Sequence, residues 1–177
     1  RRRQPRRQAG GGGMNGIEIG LLVLVVLLAV ALVASRRPPR RLPVREGARR
    51  ILVPFSGSLD QTVLDAAIRI AKAEDAVLVP AYLIVVPLQY AEDSPLREQV
   101  KVAMPLLEAV ELAALRAGVP VDARIEKGRT LTHAVRRLWE AEPFDRIVAA
   151  APDFTPKELA WLLTKSPAET VVLKPAA

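Results

Sequence analysis

With 177 residues, half of them hydrophobic and a quarter charged, the chain has room for one ordinary domain plus appendages and is too apolar to be largely disordered. Its net charge of +7 is uneven: residues 1–50 hold 12 Arg against Glu18 and Glu46, a balance of +10, whereas residues 51–177 hold 14 Lys or Arg against 17 Asp or Glu, a balance of −3. A mildly acidic main part lacks the positive surface that phosphate backbones demand, which argues against a nucleic-acid partner, and the absence of cysteine excludes disulfides, thiol catalysis and cysteine-bound metals.

Residues 1–16 form a basic, glycine-rich stretch of low complexity, either a disordered tail or upstream sequence read in frame before Met14. Residues 17–35 follow as a transmembrane helix: 19–34 read IGLLVLVVLLAVALVA, near the lower limit of about 17 to 25 apolar residues for crossing a bilayer. A cleaved signal peptide is the competing reading, since Ala29-Val30-Ala31 imitates a small-residue cleavage site. The anchor is favoured because the apolar run outlasts a usual signal core and because Arg36, Arg37, Arg40, Arg41, Arg45, Arg49 and Arg50 follow it. That strip implies a single-pass protein of the cell membrane with its soluble domain cytoplasmic, and it suits anionic lipid headgroups. Pro38, Pro39, Pro43 and Gly47 make residues 36–49 a stiff juxtamembrane linker.

From residue 50 to 175, β-type runs alternate with helical patterns, which is the βαβ rhythm of a sheet covered on both faces. Residues 51–55 (ILVPF) are the first strand, and Ser58 with Gln61 three residues later reads as a capping box for a helix lined by Val63, Ala67, Ile70 and Ala71. Residues 77–86 are a second, doubly covered strand closed by Pro87. Leu96, Val100, Ala103, Leu107, Val110 and Ala114 mark a long helix that Pro105 should kink or restart and Gly118 should end. Residues 119–125 alternate as a third strand near a sheet edge, and Leu131, Ala134, Val135 and Leu138 line the third helix. Residues 146–150 and 169–174 give the last strands, joined by a helix with Thr155 as cap, Pro156 in its first turn and Glu158 completing a capping box. The sum is a doubly wound, five-stranded parallel α/β sheet of Rossmann-like type, whose ligands sit beyond the strand carboxyl ends where strand order reverses.

Several segments resemble the universal stress protein family: ILVPFSGS at 51–58, LIVVP at 83–87, Lys127-Gly128, DRIV at 145–148, and the closing stretch from Ser166-Pro167 to VVLK at 171–174. The resemblance covers residues 50–175 and implies an adenine nucleotide alpha hydrolase-like fold, dimers formed through the last strand and, in nucleotide-binding relatives, an Asp in the first turn, a backbone position after the second strand, and a glycine-rich phosphate loop after the fourth. Ser56 stands at the Asp position and Val85 at the second, where a hydrophobic residue equally suits a strand core. The loop position reads AAAPDFT at 149–155, without glycine and with Asp153 near the expected phosphates. Glycine is needed there because only backbone lacking Cβ wraps a polyphosphate closely, so ATP binding in the family manner is expected to be lost.

The remaining candidates have plain explanations. His133, the single histidine, has no evident nucleophile or carboxylate partner and reads as a surface or capping residue. Ser56, Gly57 and Thr155 either bind an anion at a helix N-terminus or merely shape turns and caps. Trp139 and Trp161 read as helix-packing residues. No catalytic or metal site is visible, which gives a noncatalytic, membrane-tethered regulatory module that dimerises and contacts an unidentified protein, without cofactor. The alternative is a sensor of a nucleotide or another anion, binding at Ser56, Gly57, Val85 and Thr155 by the first and fourth strands.

Overall fold

The computed structural model describes residues 47–174. The tail, the apolar segment 17–35 and all but the end of the Arg/Pro-rich linker lie outside those residues, and no helix among the described ones is long and apolar enough to cross a membrane. The elements run β1 (Arg50–Phe55), α1 (Gln61–Ala73), β2 (Val77–Val85), α2 (Arg97–Arg116), β3 (Arg124–Gly128), α3 (Leu131–Ala141), β4 (Arg146–Ala150), a 3₁₀ turn (Ala151–Asp153), α4 (Pro156–Lys165) and β5 (Glu169–Leu173). All strand pairings are parallel, in the order β3-β2-β1-β4-β5. After β3 the chain returns across β1 to build outward again, so the switch in winding direction falls between β1 and β4.

Alternation along β1 divides the core. Ile51 and Val53 face α1 and α2 through Val63, Ala67, Val110 and Ala114, while Leu52 faces α3 and α4 through Val135, Leu138 and Leu162. Each of these β1 side chains is at most 1% exposed, and full burial of a residue this size stabilises by about 1.5–3 kcal/mol. A third cluster closes the α2 side near the carboxyl ends, where Phe55 and Tyr82 meet edge to face with ring centroids 5.5 Å apart.

Three local expectations are corrected. Ser58 is not the cap of α1: Asp60 is, its Oδ1 accepting from the Thr62 and Val63 N–H groups at 2.8 and 3.3 Å, while Gln61 donates to Asp65. A carboxylate nearer the helix displaces the hydroxyl upstream. The third strand begins at Arg124, not residue 119. Pro120 has no N–H to pair before the Val121–Leu78 bridge and Pro80 of β2 has none to offer Asp122 O after it, so that bridge is isolated and the ladder resumes at Ala81 opposite Arg124. Pro105 neither restarts nor divides α2, which is one element of 20 residues. Ala103 and Leu107 bury on either side of Pro105 and hold the two halves against the same core. Gly118, at φ +79°, follows the helix end as expected.

Candidate functional site

The carboxyl ends of the strands meet the amino ends of the helices, and three of the four helix starts there are capped by side chains of the chain itself, whereas α2 begins at Leu96 without a side-chain cap. At α1 the Asp60 carboxylate fills the free N–H groups. At α3 Thr130 Oγ1 accepts from His133 N–H at 3.1 Å. At α4 the capping box is complete: Thr155 Oγ1 accepts from Glu158 N–H at 3.3 Å, and Glu158 Oε2 accepts from both the Thr155 N–H and its hydroxyl at 2.8 Å. Two of the four places where an anion gains most from a helix dipole therefore hold the protein's own carboxylates.

A depression of about 480 Å³ opens beyond β2 and β4. Val85, Leu131, Pro152 and Phe154 give it apolar walls; Arg129, Thr130, Asp153, Thr155 and Glu158 give it polar ones. Phe154 is 6% exposed and packs into the α3/α4 core, which pins the β4–α4 connection in place. Arg129 is tied down as well, its Nη1 donating to the carbonyl oxygens of Pro87 at 2.9 Å and Val86 at 3.4 Å. Asp153 has one carboxylate oxygen, Oδ2, sealed from solvent and without a hydrogen-bond partner among the described residues. Burial first, and the nearby Asp60 carboxylate second, push its pKa up to about 6.

The structure brings Val85 and Thr155 together on this depression and leaves Ser56 and Gly57 off its walls. Val85 is 46% exposed at the end of an otherwise buried strand, so it is not a core residue. Gly57 is exposed at φ +83° and serves the turn after β1. His133 takes the Arg129 N–H on Nδ1 at 3.3 Å and lies 3.4 Å from Glu92, away from the depression. Trp139 and Trp161 stack between α3 and α4 with centroids 4.9 Å apart, in keeping with a packing role. Sequence reasoning missed Asp60 and Arg129. The first carried a usable signal, an Asp directly before a helical pattern; the second owes its place to carbonyls 42 and 43 residues away, which no local pattern reveals.

A second depression of about 440 Å³ lies along β3, between Glu92, Glu126, Lys127 and Arg137. Arg137 bridges it to Glu126 at 3.1 Å and to Glu92 at 3.4 Å, Lys127 donates to the Ser94 carbonyl, and Asp93 also lines it. No cluster of three or more metal-ligating side chains occurs among the described residues.

No family model matches the sequence, and no curated protein matches it. Solved structures do. The UspA universal stress protein of Lactobacillus plantarum is similar with a TM-score of 0.59 at 18% identity, covering 74% of this chain and 99% of its own. A universal stress protein in complex with cAMP is similar with a TM-score of 0.56 at 20% identity, covering 71% and 97%. An AMP-bound universal stress protein family member from Arabidopsis thaliana is similar with a TM-score of 0.54 at 15% identity, covering 73% and 93%.

The fold is that of the universal stress proteins.

The amino end of α4 is filled by Glu158, Phe154 is buried beneath it, and the 3₁₀ turn of Ala151, Pro152 and Asp153 sets a carboxylate where a cradle would present bare N–H groups.

Proposed function

We propose that this chain is a noncatalytic regulatory module with the universal stress protein fold, tethered to the membrane by residues 17–35 and acting through contacts with other proteins rather than through ATP. The observation that carries this reading is the Glu158 carboxylate on the amino end of α4, which takes the place of an external anion and leaves no phosphate cradle. The outer edge of β5 supports dimerisation: β5 pairs only with β4 among the described residues, and Val171, Val172 and Leu173 are half-buried on a strand rich in β-formers. Light scattering on the full-length protein in detergent tests the reading. The expected result is a dimer whose mass is the same with and without ATP; a monomer, or a dimer that forms only with ATP, contradicts it.

A second reading has an observation of its own. Val85 stands exposed beside Thr155 in a depression of about 480 Å³, within the range of roughly 300–1,000 Å³ typical of small-molecule sites, in a fold whose solved neighbours include complexes with cAMP and AMP. On this reading the depression holds a small ligand and the chain is a sensor.

A further inference from the structure

β3 is an edge strand, with no neighbour on its outer side among the described residues. Gly128 O accepts from Val86 N–H at 2.9 Å, so alternation aims the main-chain groups of Arg124, Glu126 and Gly128 at β2 and those of Ile125 and Lys127 outward. An open row of that kind is a template for another strand. Here it is closed from within. The Lys127 N–H donates to Glu126 Oε1 at 3.2 Å, and Arg137 Nε holds the same oxygen at 3.1 Å. Arg137 also reaches Glu92 of the β2–α2 connection at 3.4 Å, which lays a polar bridge across the depression beside the strand. Just past the strand, the Arg129 N–H is taken by His133 Nδ1 at 3.3 Å. On the opposite edge, no side chain among the described residues takes a β5 main-chain N–H.

We infer that Glu126, held by Arg137, and His133 guard the β3 edge, and that releasing them lets it pair antiparallel with the β3 edge of a second copy of this chain. The second copy is the occupant because the strand is complementary to itself. In the twofold register centred on Ile125, each Arg124 stands opposite the Glu126 of the other copy, and the two Ile125 residues exchange both main-chain bonds. Arg124 is available for that role: it is 45% exposed, and its acidic neighbours Asp122 and Glu142 also pair with Arg50, at 2.7 and 2.9 Å. Glu126 has only to leave the Lys127 N–H for the facing Arg124. The contact is separate from the β5 edge, so its test reads independently of dimerisation there.

The chain has no cysteine, so Ile125→Cys supplies a single reporter thiol. Directly opposed residues of a hydrogen-bonded antiparallel pair lie about 5.5 Å apart at Cα, within disulfide reach. The full-length protein in detergent is mildly oxidised with Ile125→Cys alone and with Ile125→Cys combined with Arg137→Ala and His133→Ala. The Arg137 and His133 side chains are 49% and 40% exposed, so their loss leaves the core in place. The combined variant is expected to give about tenfold more cross-linked pair, the scale of the two Arg124–Glu126 cross-strand pairs that release makes available. With Ile125 retained, Arg137→Ala and His133→Ala are expected to raise the mass by light scattering above that of the unaltered protein. Arg137→Gln, which keeps a polar helical residue at the position, is expected to move both readings in the same direction. Equal cross-linking with and without the guard overturns the guarding role. No cross-linking and unchanged mass in the released variants overturn the edge pairing, and either outcome leaves the β5 dimer to its own test.

Discussion

Asp153 and Asp122 show how two carboxylates in one fold respond oppositely to pH. Asp153 is raised from 3.8 to about 6, so the folded chain holds this proton more tightly than the unfolded one. Its favourable contribution is complete below pH 3.8 and is lost as pH rises through about 6, above which the ionised group is a net cost. For a half-buried carboxylate screened by solvent that cost is on the order of 1 kcal/mol. Asp153→Asn is therefore expected to raise stability by about 1 kcal/mol near neutral pH and to change it little near pH 4, as read from urea titrations at the two values. An equal effect at both contradicts the assignment. Asp122 runs the other way: burial works to raise its carboxyl, but the Arg50 and Arg124 guanidiniums, at 2.7 and 2.8 Å, outweigh it and hold the pKa below 3.8. Its stabilisation is present above 3.8 and is lost as pH falls through the lowered value. Neither shift was legible in the sequence, because each depends on groups brought together from separate elements.

At the scale of elements, the junction of β3 and α3 turns on Gly128. A Cβ there lies 2.6 Å from Ala134 N and 2.9 Å from Ala134 Cα, so helix or strand must shift to admit it. Gly128→Ala is expected to destabilise by about 1–3 kcal/mol, as overpacking against backbone does. Gly57→Ala, with nothing within 4 Å, carries only the left-handed strain of roughly 1–2 kcal/mol. Denaturant midpoints of both variants check the contrast, and a neutral Gly128→Ala contradicts the close approach. Element boundaries were readable where the deciding chemistry is local. Thr155, Pro156 and Glu158 announce the start of α4, and residues 146–150 coincide with β4, because capping and continuous apolar runs act within a few residues. Boundaries were unreadable where tertiary pairing decides: β3 begins five residues late because Pro120 and, across the gap after Val121, Pro80 of β2 lack the N–H groups the ladder needs, a conflict visible only once the two strands are aligned.

At the scale of the molecule, the parallel sheet and its two-faced core follow from the alternation of apolar strands and amphipathic helices and were legible, whereas the strand order β3-β2-β1-β4-β5 was not, because the same alternation fits more than one order. The site was legible by halves. Val85 and Thr155 do share a depression, but Ser56 and Gly57 lie off it, and the electrostatic character comes from Asp60, Arg129 and Asp153 acting from three different connections. What unites two of these features is self-sufficiency: α1 and α4 are capped by carboxylates of the same chain, so neither of those two helix starts has a vacant dipole to offer a polyphosphate.

Amide shift mapping of the isotope-labelled full-length protein during an ATP titration tests that claim most directly. Residues 150–158 are expected to keep their positions, with no saturable movement. Saturable shifts of those amides at micromolar ATP, with the Thr155–Glu158 cap broken, contradict it.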